Sequence, residues 1–180
     1  LREGTMDGLL PALRSGQIDF AVGLLTLSNP DQEFATDVLL EDPVVAVTRV
    51  GHPLTTRNRL TWEDLRGFPL VLPNSTTQAR GAIEAVFVER GIPVTKTRVD
   101  SVSTMANVGT LQVTDAVGFM SRTLVKHFAR IGVLEILPLD VPPTVKLSIG
   151  IVWIADRERT AAHLTCHQLM KETARDLSGA

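Results

Sequence analysis

Five consecutive polar residues stand where an apolar segment gives way to a helical pattern. Leu70–Leu72 predicts a buried strand, Thr77–Arg90 predicts a helix, and the sequence from Pro73 to Arg80 reads PNSTTQAR. A simple turn needs only one or two residues of this kind. The first N–H groups of a helix lack intrahelical acceptors, and the helix dipole favours negative charge there. The segment therefore predicts half of a binding site for a small anion or polyol, with a carboxylate as the favoured ligand.

Each side chain of this segment has a chemical role available. The hydroxyls of Ser75, Thr76 and Thr77 can donate hydrogen bonds in adaptable directions. Arg80 lies one turn into the predicted helix, from where its guanidinium could bind a carboxylate through two N–H groups. A solvated loop that only caps the helix is the alternative, and the sequence leaves it open.

Other residues capable of chemistry fit structural roles better. His163 and His167 are four residues apart, as in a two-histidine metal site, but no third ligand stands at a suitable spacing, so an exposed helix face is favoured. Glu41 and Asp42 are adjacent, so a strand would point them to opposite faces. Nucleophile–base pairs and glycine-rich phosphate loops are not visible. The sequence therefore predicts neither an enzyme nor a metal or cofactor.

Composition narrows the class of protein further. The chain has 180 residues, 44% of them hydrophobic, and a formal net charge of −2, which argues against nucleic-acid binding by this stretch itself. Its apolar runs are too short to span a membrane. The single cysteine, Cys166, excludes an intramolecular disulfide and suits a reducing cytoplasm, and its position on the last helix predicts a buried core residue.

The apolar periodicity alternates between the strand and helix periods, which predicts an α/β protein with a mostly parallel sheet. Two extended segments, Glu41–Thr48 and Val145–Ile154, have no helix beside them and could cross between two lobes as a hinge. The remaining predicted strands are Ile18–Gly23, Val38–Leu40, Leu70–Leu72, Arg98–Val102, Ala116–Met120 and Val133–Leu137. The inner face predicted for the last helix consists of Ala162, Cys166, Leu169, Met170 and Leu177.

Four stretches together resemble one protein family. They are LREGTMDGLLPALRSGQIDFAVG, EDPVVAVTRVGHPL, TWEDLRGFPLVLP and DSVSTMANVGTLQVTDAVGFMSR. In order, spacing and total span, from Leu1 to near Leu177, they are similar to the effector-binding (substrate-binding) domain of LysR-type transcriptional regulators. Each stretch alone is a weak signal, but the joint match is specific.

The resemblance implies a fold. It predicts two Rossmann-like lobes joined by two crossover strands, like a periplasmic binding protein of type 2, with the ligand in the cleft. Lobe 1 would comprise residues 1–42 and 148–180, and lobe 2 residues 43–147. The first strand and first helix of the family domain are expected to be missing from this sequence, as is the winged helix-turn-helix that precedes the domain.

The resemblance also places the effector-binding residues. The residue after E-G lies at the family's cleft and is Thr5 here, with the N-cap of the first helix as its other role. Gly23 ends its strand at the cleft or forms a tight turn. Ser101 and Val102 end another strand, where they face the ligand or cap a helix. The implied effector-binding set is Thr5, Gly23, Ser75, Thr76, Thr77, Arg80, Ser101 and Val102.

The function implied is ligand sensing. A small-molecule effector, an organic acid or a sugar, would control promoter binding by the absent winged helix-turn-helix domain, in a cytoplasmic homodimer or homotetramer. The helices Met6–Leu13 and Ile83–Phe87 are the candidate subunit contacts. A periplasmic solute-binding protein and a metabolic enzyme on a similar scaffold are the alternatives.

Overall fold

The structure is a computed structural model that describes residues 1–25, 33–75, 77–93, 97–101 and 103–178. Its helices are α1 (Met6–Arg14), α2 (Gln78–Glu89), α3 (Thr104–Val113), α4 (Arg122–Arg130) and α5 (Ala161–Ser178). Its strands are β1 (Phe20–Leu24), β2 (Phe34–Arg49), β3 (Leu70–Leu72), β4 (Thr97–Asp100), β5 (Val117–Ser121), β6 (Leu134–Ile136) and β7 (Lys146–Ile154).

The chain divides into two compact units. Unit 1 comprises Leu1–Glu41 and Ser148–Ala180, and unit 2 comprises Asp42–Leu147. The two boundaries between the units fall inside β2 and β7. Each unit therefore has its own sheet and its own core, described separately below.

Unit 2 is built on a sheet with the strand order β6-β2-β5-β3-β4. The strands β3, β4 and β5 are parallel, whereas β2 is antiparallel to both β5 and β6. Val44 and Ala46 of β2 belong to one buried cluster, and Val45 and Val47 belong to another on the opposite face. The run PVVAVT is apolar nearly throughout because both of its faces are covered.

Helices cover the two faces of this sheet. Ile83 and Phe87 of α2 pack into the first cluster, while Leu111 of α3 and Val125 of α4 pack into the second. At the centre of the first cluster Trp62 lies 5.2 Å from Phe87 and 5.4 Å from Phe119, measured between ring centroids. The indole N–H of Trp62 donates to the Asp140 carbonyl at 3.1 Å.

The sheet of unit 1 also separates two helices. In the antiparallel β1–β7 pair, Ala21 lies opposite Val152, and both pack with Leu13 of α1. Their neighbours Phe20 and Trp153 pair with each other and point to the other face, because side chains alternate along a strand. There they contact His163 of α5 at centroid distances of 4.9 and 5.9 Å.

The last helix corrects two predictions. His163 and His167 are buried, with 3% and 7% of their surface exposed, whereas the predicted inner residues Leu169 and Leu177 are 56% and 48% exposed. Cys166 is half-buried. The predicted inner residues and the buried histidines both have helical spacing. The histidine side of α5 is the buried one because it packs against the aromatic rings of Phe20 and Trp153.

Two predictions about the sheet are also wrong. Val38–Leu40 and the extended segment Glu41–Thr48 are not separate elements but parts of the continuous strand β2. The sheet is not mostly parallel, since β2 runs antiparallel to its neighbours and β1 runs antiparallel to β7. Alternating strands and helices normally give parallel neighbours. The strand β2 instead continues from the residues of one unit into those of the other, and it runs antiparallel to β5 and β6.

Among the described residues no helix is both long and apolar enough to span a membrane.

Gly150 marks a close approach of strands within unit 1. A Cβ atom at this position would lie 2.6 Å from the Asp37 carbonyl oxygen and 2.7 Å from a Leu25 methyl carbon. A backbone oxygen cannot move aside as the end of a side chain can. Any side chain at this position must therefore displace β2 or β7.

We expect Gly150→Ala to lower the free energy of unfolding of unit 1 by about 1–3 kcal/mol, the usual cost of overpacking. The matched control is Gly81→Ala, because Gly81 is an exposed residue of α2 with no atom within 4 Å of the added Cβ. Alanine there should raise stability by roughly 0.5–1 kcal/mol through the lower entropy of the unfolded chain. Urea unfolding measures the free energy of unfolding of both variants. If Gly150→Ala and Gly81→Ala change it equally, the close approach of the strands at Gly150 is contradicted.

Candidate functional site

Three helices of unit 2 begin at one edge of its sheet. The strands β3, β4 and β5 are parallel, with Leu72 paired to Asp100 and Val71 to Gly118, so their carboxyl ends share that edge. The chain leaves these strands to enter α2, α3 and α4 in turn. The N-caps are Thr77, Ser103 and Ser121, each accepting a backbone N–H with its hydroxyl. Ligands of α/β sheets bind at such an edge because it gathers strand ends and helix N-termini.

One of the three N-termini already holds a carboxylate of the chain itself. Asp42 is buried, accepts the hydroxyl proton of Ser121 and accepts the Thr123 N–H at 3.2 Å. Because the Asp42 carboxylate already occupies the start of α4, that position is not open to an external anion. The starts of α2 and α3 are the ones left for a ligand.

The loop before α2 is held by Thr77. Its hydroxyl donates to the Asn74 carbonyl at 2.7 Å and accepts the Arg80 N–H at 3.3 Å, and its backbone N–H also bonds to Asn74. Thr77 is buried, whereas Ser75 is exposed. The Thr77 hydroxyl is therefore committed to the cap.

Arg80 is an internal support of the same loop. Its Nε donates to Glu84 at 2.6 Å, its Nη1 donates to the Pro73 carbonyl at 3.3 Å, and its side chain is only 12% exposed. A two-pronged grip on a ligand carboxylate, as the sequence suggests, would compete with Glu84. The contacts instead fit a positioning role, in which Arg80 fixes the loop that follows β3.

The loop before α3 is held in a similar way. The Ser101 hydroxyl accepts the Ser103 N–H at 3.0 Å, and the Asn107 amide donates to the Ser101 carbonyl at 3.3 Å. The Oδ1 of Asn107 is buried and has no hydrogen-bond partner among the described residues. Sequence analysis did not identify Asn107, because the sequence of a helix does not show which group an asparagine side chain inside it will contact.

The two predicted residues of unit 1 lie near one helix start. Thr5 caps α1 by accepting the Gly8 N–H at 3.4 Å. Gly23 lies in β1, where an added Cβ would be 3.6 Å from Met6, the first residue of α1. Gly23 is therefore a strand residue and not part of a turn. Thr76 and Val102, the remaining predicted site residues, lie outside the described residues.

The chemistry offered by the edge in unit 2 is that of an anion site. Each N-cap satisfies one N–H group and leaves others of the first turn without an intrahelical acceptor. The dipoles of α2 and α3 add partial positive charge at the same edge. Throughout the described part of the chain, no three His, Cys, Asp or Glu side chains gather as metal ligands.

The fold and this edge define a domain that binds a small molecule, built from two α/β units. Residues 1–175 match the family model described as the LysR substrate binding domain, and the chain belongs to that family. The predicted family and its fold are confirmed.

Relatives agree with this assignment. The chain is 27% identical over 169 residues to the HTH-type transcriptional regulator PcaQ of Agrobacterium fabrum, a match that covers 94% of the chain and 54% of the relative. The chain thus spans about half the length of this curated relative, which is a transcriptional regulator and not an enzyme.

Solved structures show the same fold. The regulatory domain of CcmR from Synechocystis in complex with 2-PG has a TM-score of 0.71 and 18% identity, with 93% of this chain and 79% of that chain covered. The effector-binding domain of QuiR in complex with shikimate has a TM-score of 0.72 and 16% identity, with coverage of 96% and 79%.

Proposed function

We propose that this domain senses a small organic anion at the carboxyl edge of β3, β4 and β5, and that the ligand controls transcription through a winged helix-turn-helix domain of the same protein. One observation carries the proposal. Three helix N-termini meet one sheet edge of unit 2, and Asp42 fills only that of α4. The starts of α2 and α3 therefore supply N–H donors and positive potential to a ligand.

Roles at this edge follow from the contacts. The exposed Ser75 and the half-buried Ser101 offer hydroxyls beside the first-turn N–H groups of α2 and α3. Thr77 and Arg80 position the loop and do not need to touch the ligand. Thr5, Gly23, Thr76 and Val102 stay in the proposed site on the family resemblance alone.

The chemical class of the effector is a carboxylate that also carries hydroxyl groups. The first-turn N–H groups favour the carboxylate, and serine hydroxyls can both donate to and accept from a ligand hydroxyl. Shikimate, the ligand of the QuiR domain, combines a carboxylate with ring hydroxyls and is a suitable first probe. A sugar acid has the same combination.

The full regulator is proposed to be a cytoplasmic homodimer or homotetramer that binds promoter DNA through its helix-turn-helix domain. Ile83 and Phe87 of α2 cannot form the predicted subunit contact, because both are buried in the core of unit 2. The exposed side of α2, which carries Val88 at 76% exposure, is the part available to a second subunit. A periplasmic solute-binding role is not favoured, since the family is one of regulators.

The test places a fixed negative charge at the proposed site. We expect Ser101→Asp to weaken binding of the effector about tenfold or more, because two carboxylates would compete for the same N–H groups. Ser101→Asn is the matched control, since its side chain can also accept the Ser103 N–H but adds no charge. Calorimetry against a panel of hydroxy acids, sugar acids and neutral sugars, with shikimate included, measures the affinities.

Stability separates loss of binding from loss of folding. An aspartate just before α3 interacts favourably with the helix dipole, so the thermal stability of Ser101→Asp should equal or exceed that of Ser101→Asn. A ligand that binds the parent chain and both variants equally well would place the effector elsewhere. A neutral sugar that binds in preference to every acid would overturn the anionic class.

A further inference from the structure

A buried carboxylate of the chain lies at the same sheet edge as the proposed effector site. Asp42 is 1% exposed, and Val44, which follows it closely in β2, pairs with Ser121 at the end of β5. Because β2 and β5 are antiparallel, Asp42 lies beside the carboxyl end of β5. A buried charge is costly unless it is paired or hydrogen-bonded, so its presence at a ligand-binding edge needs an explanation.

The compensating hydrogen bonds come from the first turn of α4. One carboxylate oxygen of Asp42 accepts the Thr123 N–H at 3.2 Å, and the other accepts the hydroxyl proton of Ser121. The Ser121 hydroxyl also accepts the Leu124 N–H at 3.2 Å, so its single proton is left for Asp42. Both oxygens of Asp42 are therefore acceptors, as in an ionised carboxylate. Asp42 places a full negative charge at the start of α4.

The other two helix starts at this edge have only their caps. In each of the three helices the third N–H of the first turn bonds to the capping hydroxyl. In α4 the second N–H, that of Thr123, is also taken, by Asp42. None of the described side chains brings a carboxylate to the equivalent N–H groups of α2 and α3, which belong to Ala79 and Met105. Asp42 therefore does at α4 what an acidic group of a ligand would do at α2 or α3.

The Asp42 charge lies close enough to act on a ligand at those two helix starts. The strand β5 separates β2 from β3, with Val71 of β3 beside Gly118 of β5. Two strand spacings of about 4.8 Å therefore place Asp42 roughly 10 Å from the end of β3, where the loop to α2 begins. This is about one Debye length in physiological salt, and a buried charge is screened less than an exposed one. Arg80 and Glu84 of α2 pair with each other at 2.6 Å and so add little net charge to the edge.

We propose that Asp42 is a specificity-determining residue, whose fixed negative charge makes this edge select effectors with one acidic group over effectors with two. The inference rests on the proposed function and defines the charge of its ligand. A ligand with one carboxylate meets the repulsion of Asp42 once and is held by the N–H groups of a helix start. A second acidic group on the same ligand meets that repulsion again, and the start of α4 is already filled and cannot receive it.

The test compares gluconate with glucarate, two sugar acids that differ only in whether the far end of the chain is a hydroxymethyl group or a second carboxylate. Calorimetry at constant ionic strength gives the affinity of each acid for the parent chain and for Asp42→Asn. The asparagine side chain can still accept a hydrogen bond from the start of α4 but carries no charge. We expect the affinity for gluconate to rise about two- to tenfold and that for glucarate to rise by about that factor twice, because the repulsion counts once for each acidic group.

Two further variants separate the effect of position from that of net charge. Glu89→Gln is the matched control, because it removes one negative charge at the opposite, exposed end of α2 and should leave the ratio of the two affinities unchanged. Arg122→Glu adds negative charge at an exposed position of the α4 start and leaves the buried network intact. It should weaken glucarate binding more than gluconate binding. This surface variant decides the matter if Asp42→Asn does not fold.

The outcomes distinguish this inference from the proposed function. The same affinity ratio in the parent, Asp42→Asn and Arg122→Glu would overturn the inference, as would tighter binding of glucarate than of gluconate by the parent. If Ser101→Asp nevertheless weakens both acids, the proposed function stands and only the selection by Asp42 is lost. Binding of neither acid to any of these chains would also overturn the inference, and with shikimate unbound as well it would contradict the anion site itself.

Discussion

Replacement of Trp62 by alanine is expected to lower the free energy of unfolding of unit 2 by about 3–5 kcal/mol. Trp62 is 2% exposed, and its indole packs against the rings of both Phe87 and Phe119. Alanine would leave a cavity that these rings cannot close, because both are held by the sheet and by α2. The Asp140 carbonyl would also lose the N–H that it accepts at 3.1 Å.

Trp62→Phe is the matched control for this prediction. It keeps an aromatic ring in the cluster but removes the indole N–H, so we expect a smaller loss that includes about 1 kcal/mol for the hydrogen bond. Urea unfolding followed by circular dichroism measures both variants. If Trp62→Ala and Trp62→Phe lower the free energy of unfolding by the same amount, the packing of the aromatic ring does not stabilise unit 2 as described.

The stability of each unit is expected to fall as the pH is lowered below about 6.5, because each has a buried histidine. Burial lowers the pKa of His163 in unit 1, and burial is also the main cause of the lowered pKa of His52 in unit 2. The unfolded chain then binds a proton at a higher pH than the folded chain does. The contribution of each histidine is therefore complete above the unfolded pKa of 6.5 and is lost as the pH falls towards the folded pKa. The loss is at most about 1.4 kcal/mol per pH unit for each group.

The two tryptophans allow the two units to be followed separately. The chain has two, Trp62 in unit 2 and Trp153 in unit 1, 5.9 Å from His163. In the Trp62→Phe chain, urea unfolding monitored by Trp153 fluorescence in phosphate-free buffer reports unit 1. His163→Phe keeps a ring against Phe20 and should flatten the pH dependence of that transition between pH 6.5 and 5. A slope that persists unchanged would assign the titration to another group.

Local signals in the sequence predicted the helix starts well. Thr5 accepts a backbone N–H at the first turn of α1, as expected, and Thr77 does the same where the sequence predicted the start of α2. A contact of the same local kind joins Thr61 and Asp64, since the Asp64 carboxylate accepts the Thr61 N–H at 2.8 Å. These contacts depend on residues within three positions of one another, so the local sequence determines them.

Contacts between distant residues were not predictable in the same way. The inner face of α5 depends on Phe20 and Trp153, which stack with its histidines, and no periodicity within the helix contains that information. At the candidate site the sequence could supply Arg80 as a charged group but could not show that Glu84 and the Pro73 carbonyl already occupy it. Asp42 was assigned no role for a similar reason, since its partner Ser121 lies far along the chain.

The division of the chain into units has a consequence for its synthesis on the ribosome. Unit 2 is one continuous segment, Asp42–Leu147, whereas unit 1 joins Leu1–Glu41 to Ser148–Ala180. The carbonyls of Leu13 and Arg14 cannot be capped until Arg157 has been translated. We therefore expect unit 2 to fold first during translation, while the segment made before it waits for the last to emerge. The helix α1 is therefore translated early but buried late. During the interval its apolar side is accessible to chaperones and proteases.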